Sequence, residues 1–248
     1  MLCSQQELGL AGDSEGIMIL DSDAKIGMAF ADYQGLRDIF FELKVTPNRA
    51  DCLSHIGLAR ELSCLLGRDL KLPQIDRSKW QNKVSESASL EVENLDLCPR
   101  YACRTVLDVK VGPSPAWLKN RLESLGLNSI NNVVDITNFV MLEYGQPLHA
   151  FDLAFLEGAK VRVANAKSGE SFISLDGSEF TLDGSELMIY DAKKPVALAG
   201  VVGGKNSGVR EETKALFIEC AYFVPPTVRK TARKFGIETD AAYRFSRG

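Results

Sequence analysis

Two side chains far apart in the 248-residue sequence have types and settings suited to chemistry: one of its two histidines, His149, and a lone carboxylate, Glu219. His149 follows the segment 131–144. There Val133, Val134, Ile136, Phe139, Val140 and Leu142 fall on nearly every side of a 3.6-residue period, which predicts a helix surrounded by protein. Gly145 supplies a left-handed stop and Pro147 prevents resumption, so His149 is expected on a fixed loop just past the helix end. On the helix, Asn131, Asp135 and Asn138 form one polar stripe, and buried polar groups need partners or cost a few kcal/mol. The stripe fits a binding site, and it fits caps and core hydrogen bonds as well. Glu219 sits in the apolar run LFIECAYF at 216–223, which reads as a strand. Alternation places it with Phe217, Ala221 and Phe223, where an unpaired charge is expensive, so it must accept hydrogen bonds, form a salt bridge or line a pocket.

Other residues could bind rather than react. Gly203 and Gly204, in AGVVGGK at 199–205, resemble a phosphate loop at first glance. The first glycine of that motif is missing and Asn206 stands where Ser or Thr would hold magnesium, so a Walker-type loop is rejected. These glycines admit close approach of a ligand or mark strand bulges. A helix over 226–234 carries Arg229/Arg233 and Lys230/Lys234 as i,i+4 neighbours, with Arg244 and Arg247 nearby. A solvated basic face and a set of RNA phosphate contacts both fit. The six cysteines form no CxxC pair and only His55 and His149 could join them, so no metal site and no disulfide framework is expected.

The elements that must position these residues are legible in outline. The composition, 45% hydrophobic and 25% charged, is that of a globular chain with one or two cores. Net charge is −4, which disfavours a general nucleic-acid binder. Residues 1–78 hold 8 Lys/Arg against 12 Asp/Glu and residues 224–248 hold 6 against 2, so an anionic partner would dock at the basic end. No run approaches the ~20 apolar residues needed to span a bilayer, and the first residues lack a signal-peptide pattern, so a soluble cytoplasmic protein is expected.

Residues 1–42 show loosely patterned segments. A strand is expected at 41–45, then a turn, then a helix capped by Asp51 that runs to Gly67 and contains a structural His55. Residues 68–89 lack any period and mark a domain boundary, giving domains 1–85 and 86–248. Strands follow at 90–93 and 101–109. A helix capped by Ser114 with Pro115 in its first turn ends at Gly126. Short strands are expected near 160–165, 171–175, 178–182, 187–191 and 195–199, with Leu-Asp-Gly-Ser-Glu at 175–179 and 182–186 marking two hairpin turns. The fold class is α+β: a small helix-containing N-terminal domain, then a larger mixed domain with short strands and hairpins around a buried helix.

Six ordered blocks, MLCSQQELGL at 1–10, VTPNRADCLS with GLARE at 45–61, VVDITNFVMLEYGQPLHAFD at 133–152, GGKNSGV at 203–209, FIECAYF at 217–223 and TDAAYRFSRG at 239–248, resemble the β subunit of bacterial phenylalanyl-tRNA synthetases. The resemblance covers essentially the whole chain and implies an internal fragment of that subunit. By resemblance, residues 1 to about 85 belong to its first domain and the remainder to the domain that hydrolyses mischarged Tyr-tRNA(Phe). His149 matches the family's editing histidine, and Glu219 the carboxylate that accepts a phenolic O–H. Gly203, with Gly204 beside it, matches a pocket-lining glycine, while Thr239, Asp240 and Ala241 match a site segment near the tRNA end. Asn138 of the polar stripe joins the substrate-binding candidates. Asn128 stands where many members carry Arg, and Asn cannot supply that charge. No Ser-His-Asp or Cys-His set surrounds His149, so water-mediated hydrolysis without a covalent intermediate is expected. The resemblance further implies tRNA(Phe) and the synthetase α subunit as partners, in a tetramer of two α and two β chains, with no membrane and no DNA partner. It places the ATP and Mg²⁺ of aminoacylation outside this chain. The competing expectation is a non-catalytic tRNA-docking or scaffold module, with the basic helix as its working surface.

Overall fold

The computed structural model describes residues 3–8, 16–22, 24–35, 37, 39–78 and 83–248, in two compact units, Met1–Glu42 and Leu43–Gly248. The first unit has a 3₁₀ turn at Gln6–Leu8 and the one-turn helix α1 (Phe30–Tyr33), and none of its described residues is buried. Of the segments expected over 1–42, residues 1–2, 9–15, 23, 36 and 38 lie outside the described residues, as do 79–82 of the expected linker. The strand expected at 41–45 does not form. These residues have no ladder partner among the described residues, and alternation without a neighbour makes no sheet.

In the second unit the chain order is α2 (His55–Leu66), β1 (Ser89–Val92), β2 (Arg100–Val106), α3 (Ala116–Ser124), α4 (Asn132–Tyr144), β3 (His149–Asp152), β4 (Lys160–Asn165), β5 (Ser171–Ile173), β6 (Glu179–Thr181), β7 (Leu187–Tyr190), β8 (Pro195–Leu198), β9 (Val202–Gly203), β10 (Leu216–Tyr222), α5 (Pro225–Phe235) and α6 (Asp240–Phe245). They build a five-stranded sheet in the order β1-β4-β7-β8-β9, a three-stranded sheet β2-β10-β3 and the ribbon β5-β6. Only β1 and β4 run parallel. One core takes Val161, Val163, Met188, Ile189, Val196 and Leu198 from the larger sheet, Phe151, Phe217 and Ala221 from the smaller one, and Val228 and Phe245 from α5 and α6. Every residue of β7 is buried, as a central strand covered on both faces requires. The mixed α and β composition agrees with the sequence-based class.

Local chemistry moves several expected caps. Ser54, not Asp51, caps α2, its Oγ accepting from Gly57 N–H at 3.0 Å. Asp51 is claimed by an ion pair to Arg49 at 2.9 Å. His55 Nδ1 lies 3.0 Å from the Leu142 carbonyl, which can only accept, so it donates there and ties α2 to α4. Pro115 takes the N-cap position of α3, while Ser114 Oγ is drawn to the buried carboxylate of Asp135. The hydroxyl donates to that carboxylate, and α3 has no side-chain cap. Asp135 is fully buried and accepts also from Ser129 Oγ and from Ile130 N–H at 2.9 Å, while Asn131 caps α4 at Val133 and Val134. The polar stripe at these two positions is therefore helix capping and core bonding. α4 leaves Ile136 and Tyr144 exposed, so one flank of the helix faces solvent.

The two Leu-Asp-Gly-Ser-Glu copies also part ways. Asp176-Gly177 turns the chain from β5 into β6 as a hairpin. Asp183-Gly184 instead carries it from β6 into β7, which lies in another sheet, because β7 pairs with β4 and β8. Glu186 of that copy is buried and accepts from the N–H groups of Asp183 and Gly184 at 3.1 and 3.2 Å.

Candidate functional site

β10 is the central strand of the smaller sheet, and its register sets Glu219 directly between Cys103 of β2 and His149 of β3. Opposed residues in an antiparallel pair share a face with Cβ atoms about 5 Å apart, so the imidazole and the carboxylate stand side by side. His149 is the first residue of β3, not a loop residue. The Gly145 stop, at φ +83°, turns the chain straight into the strand, and Gln146 Nε2 anchors that turn by donating to the Ala221 carbonyl at 3.0 Å.

Glu219 is 5% exposed, and Tyr101 Oη donates to its Oε2 at 2.6 Å. Its Oε1 accepts nothing from a described residue. Burial pushes the Glu219 carboxyl up to about 7, and the Tyr101 hydrogen bond pulls the other way. The Tyr101 phenol is driven well above its usual range, first by burial and then by the carboxylate beside it. Cys103 is also raised by burial, which keeps it a thiol and a poor nucleophile.

His149 rests edge-on against Phe151, ring centroids 4.4 Å apart. Burial holds its imidazole down to about 4, so near neutral pH it is uncharged, with one N–H donor and one acceptor nitrogen. No described residue hydrogen-bonds its ring. Gly203 explains how the ring fits. A Cβ at Gly203 would lie 2.5 Å from His149 Cε1 and 2.9 Å from Nε2, so any side chain there displaces the imidazole before it meets a substrate. Gly204 has a packing reason instead, since its Cβ would come within 2.6 Å of the Val196 carbonyl.

The other expected site residues separate into two groups. Thr239 caps α6 by accepting from Ala242 N–H at 3.0 Å and donates to the Val201 carbonyl at 2.9 Å, which ties its segment to the turn before Gly203. Asp240 pairs with Arg244 at 2.8 Å on the surface, and Ala241 packs against the core. Thr239 and Asp240 line a groove of ≈ 960 Å³ beside α5 and α6 with Arg229, Arg233, Tyr243 and Arg247, and neither His149 nor Glu219 is among the residues that line it. Arg229 donates to the Ser246 carbonyl, and Lys230 and Arg233 are exposed. Lys234, expected to be free for RNA, is engaged by the buried carboxylate of Glu186 and by Asp183 at 2.9 Å. A buried acid takes the nearest cation. Asn128 is exposed in the loop between α3 and α4, and Asn138 is half-buried on α4.

Asp51, Cys52 and Glu61 have the mutual spacing of metal ligands, yet Arg49 fills the space between the carboxylates at 2.9 and 2.6 Å. Tyr101 is the participant that the sequence reading missed. Its place in a β-rich run was readable, but its reach to Glu219 depends on the pairing of β2 with β10.

The B3/4 domain family matches residues 97–248. The phenylalanine–tRNA ligase β subunit of Bdellovibrio bacteriovorus is 61% identical over all of this chain and 30% of its own length. Those of Syntrophus aciditrophicus and Geobacter metallireducens are each 50% identical over all of this chain and 31% of their length. The chain thus spans under a third of the curated relatives it matches. A crystal structure of an N-terminal fragment of the phenylalanyl-tRNA synthetase β-subunit from Pyrococcus horikoshii aligns with TM-score 0.44 and 17% identity over 78% of this chain and 63% of that one, a likeness too loose to carry a structural conclusion. No helix among the described residues is long and apolar enough to cross a membrane. With the family's match covering more than half of its length, the chain belongs to the B3/4 domain family and is related throughout to bacterial phenylalanine–tRNA ligase β subunits.

Proposed function

We propose that this chain serves post-transfer editing in a phenylalanine–tRNA ligase, hydrolysing the ester of tyrosine mischarged onto tRNA(Phe). The observation that carries the reading is a buried carboxylate, Glu219, with one oxygen held by a phenol and the other accepting from no described residue, directly across the ladder from a neutral His149. An apolar phenylalanine pocket discriminates against an added hydroxyl by only about 10²-fold, so accuracy needs a second pocket that selects for the phenol. A desolvated carboxylate does this, because tyrosine donates to it and phenylalanine leaves it without that bond.

His149 then lies where the scissile ester would sit. With its basicity lowered toward 4, it orients water or the ester by hydrogen bonding and is a weak general base near neutral pH. The groove beside α5 and α6, with Arg229, Arg233 and Arg247, supplies cations for the RNA backbone of the acceptor end. Thr239, tied to Val201, links that groove to the strand bearing Gly203. In this reading residues 1–85 belong to the subunit's first domain and 86–248 to the editing domain. The protein is cytoplasmic and works with an α subunit in a tetramer of two α and two β chains, and the ATP and Mg²⁺ of ligation bind outside this chain.

The basic groove is lined by neither His149 nor Glu219, and that favours one rival: a tRNA-docking module without chemistry. Deacylation of Tyr-tRNA(Phe) and Phe-tRNA(Phe) by the full-length two-subunit enzyme separates the two. Glu219→Ala abolishes the preference for tyrosine if the chain edits. An unchanged preference, with tRNA binding still sensitive to Arg229 and Arg233, favours the docking module.

A further inference from the structure

Glu219 accepts one hydrogen bond from the described residues, and it comes from Tyr101. The contact is set by strand register. Tyr101 pairs with Ala221, two residues past Glu219 on the same face, so the phenol reaches diagonally along the sheet to the carboxylate. Glu219 is enclosed at 5% exposure, and Tyr101 is partly buried against the main core. A carboxylate so placed rotates freely unless a donor fixes its plane, and a donor on one oxygen leaves the other aimed in one direction.

Building on the editing assignment, we propose that Tyr101 is a positioning residue that sets substrate preference. It holds Oε2 of Glu219 so that Oε1 faces the place where an incoming phenol must donate. The Tyr101–Glu219 pair is itself an instance of the recognition: a desolvated phenol O–H donating to this carboxylate at 2.6 Å. The bond also favours the ionised form of the acid. Burial favours the protonated form, the Tyr101 donor favours the charged one, and no cation is among the influences that set the acid near 7. The titratable groups around Glu219 are Tyr101 and Cys103 on β2, Cys98 just before it, His149 on β3 and Cys220 beside it, with Arg100 acting on Cys220.

The test compares hydrolysis of the tyrosine and phenylalanine esters of tRNA by the full-length enzyme, across pH, for the parent, Tyr101→Phe and Glu219→Gln. Tyr101→Phe keeps the ring and its packing. It is expected to lower the Tyr-to-Phe ratio roughly tenfold near neutral pH, mainly through a higher KM for the tyrosine ester. It should also move the pH below which the preference fades upward from about 7. An unchanged ratio and pH profile overturns the proposal, and so does a ratio that rises, which would mean that the Tyr101 phenol competes with the substrate for the carboxylate. Glu219→Gln tests the underlying assignment separately. If it loses the preference while Tyr101→Phe keeps it, editing stands and the positioning role falls; if it keeps the preference, the role of Glu219 in editing falls, and the positioning role with it.

Discussion

Glu219 and Arg233 are both charged side chains expected at a site, and they sit in opposite surroundings. Glu219 lies between two strands at 5% exposure, tuned by desolvation and one phenol, whereas Arg233 is exposed along an open groove with Arg229 and Arg247. The sheet face has few polar groups and large shifts in their acidity, so its energetics are local and little affected by salt. The groove has several cations in water, each worth little alone, and its attraction for a polyanion falls as salt rises. In the proposed function, chemical selection belongs to the first region and docking to the second.

The largest effect should come from Gly203→Ala. Its Cβ would meet His149 Cε1 at 2.5 Å, and a displaced imidazole is expected to cost about 10²-fold in deacylation, measured on Tyr-tRNA(Phe). A full-rate variant would show that the imidazole position does not matter. Next, Lys234→Ala removes the cation that faces buried Glu186. A loss of about 2 kcal/mol in thermal or denaturant unfolding is expected, below the figure for a fully buried pair because backbone N–H groups still serve Glu186. If Lys234→Ala weakens RNA binding and leaves stability alone, this residue belongs to the groove after all.

Glu219 and His149 make opposite contributions to stability as pH changes. The folded-state pKa of Glu219, about 7, stands above its ordinary value of 4.5, so its stabilising contribution is full at low pH and is lost as pH rises through 7. The His149 value, about 4, stands below 6.5, so its contribution is present above 6.5 and is lost as pH falls through 4. Glu219→Gln, uncharged at every pH, should therefore gain about 2 kcal/mol on the parent at alkaline pH and nothing below pH 4.5, as read by melting temperature. A constant difference across pH would remove desolvation as the cause. The smallest effect is expected from Lys230→Ala with Arg233→Ala: several-fold weaker tRNA binding, a salt slope lower by about one for each phosphate no longer neutralised, and stability within about 0.5 kcal/mol of the parent.

Much of this was legible in the residues because it depends on local pattern. The alternation of LFIECAYF put Glu219 on the apolar face, and the Gly145 stop placed His149 next to α4. Where partners are distant, pattern falls short. Tyr101 reaches Glu219 only through the β2–β10 register, and Lys234 meets Glu186 only through a contact 48 residues away in sequence. Thr239 and Asp240 line the groove beside α5 and α6, with Thr239 bonded to the Val201 carbonyl, a long-range placement that periodicity does not encode.

The most direct measurement is a crystal structure of the chain bound to a non-hydrolysable tyrosyl-adenosine analogue. If the chain edits, the phenol oxygen lies within hydrogen-bond distance of Glu219 and the linkage that replaces the ester adjoins His149. An analogue whose tyrosine ring sits in the groove beside α5 and α6, away from Glu219, would contradict that assignment.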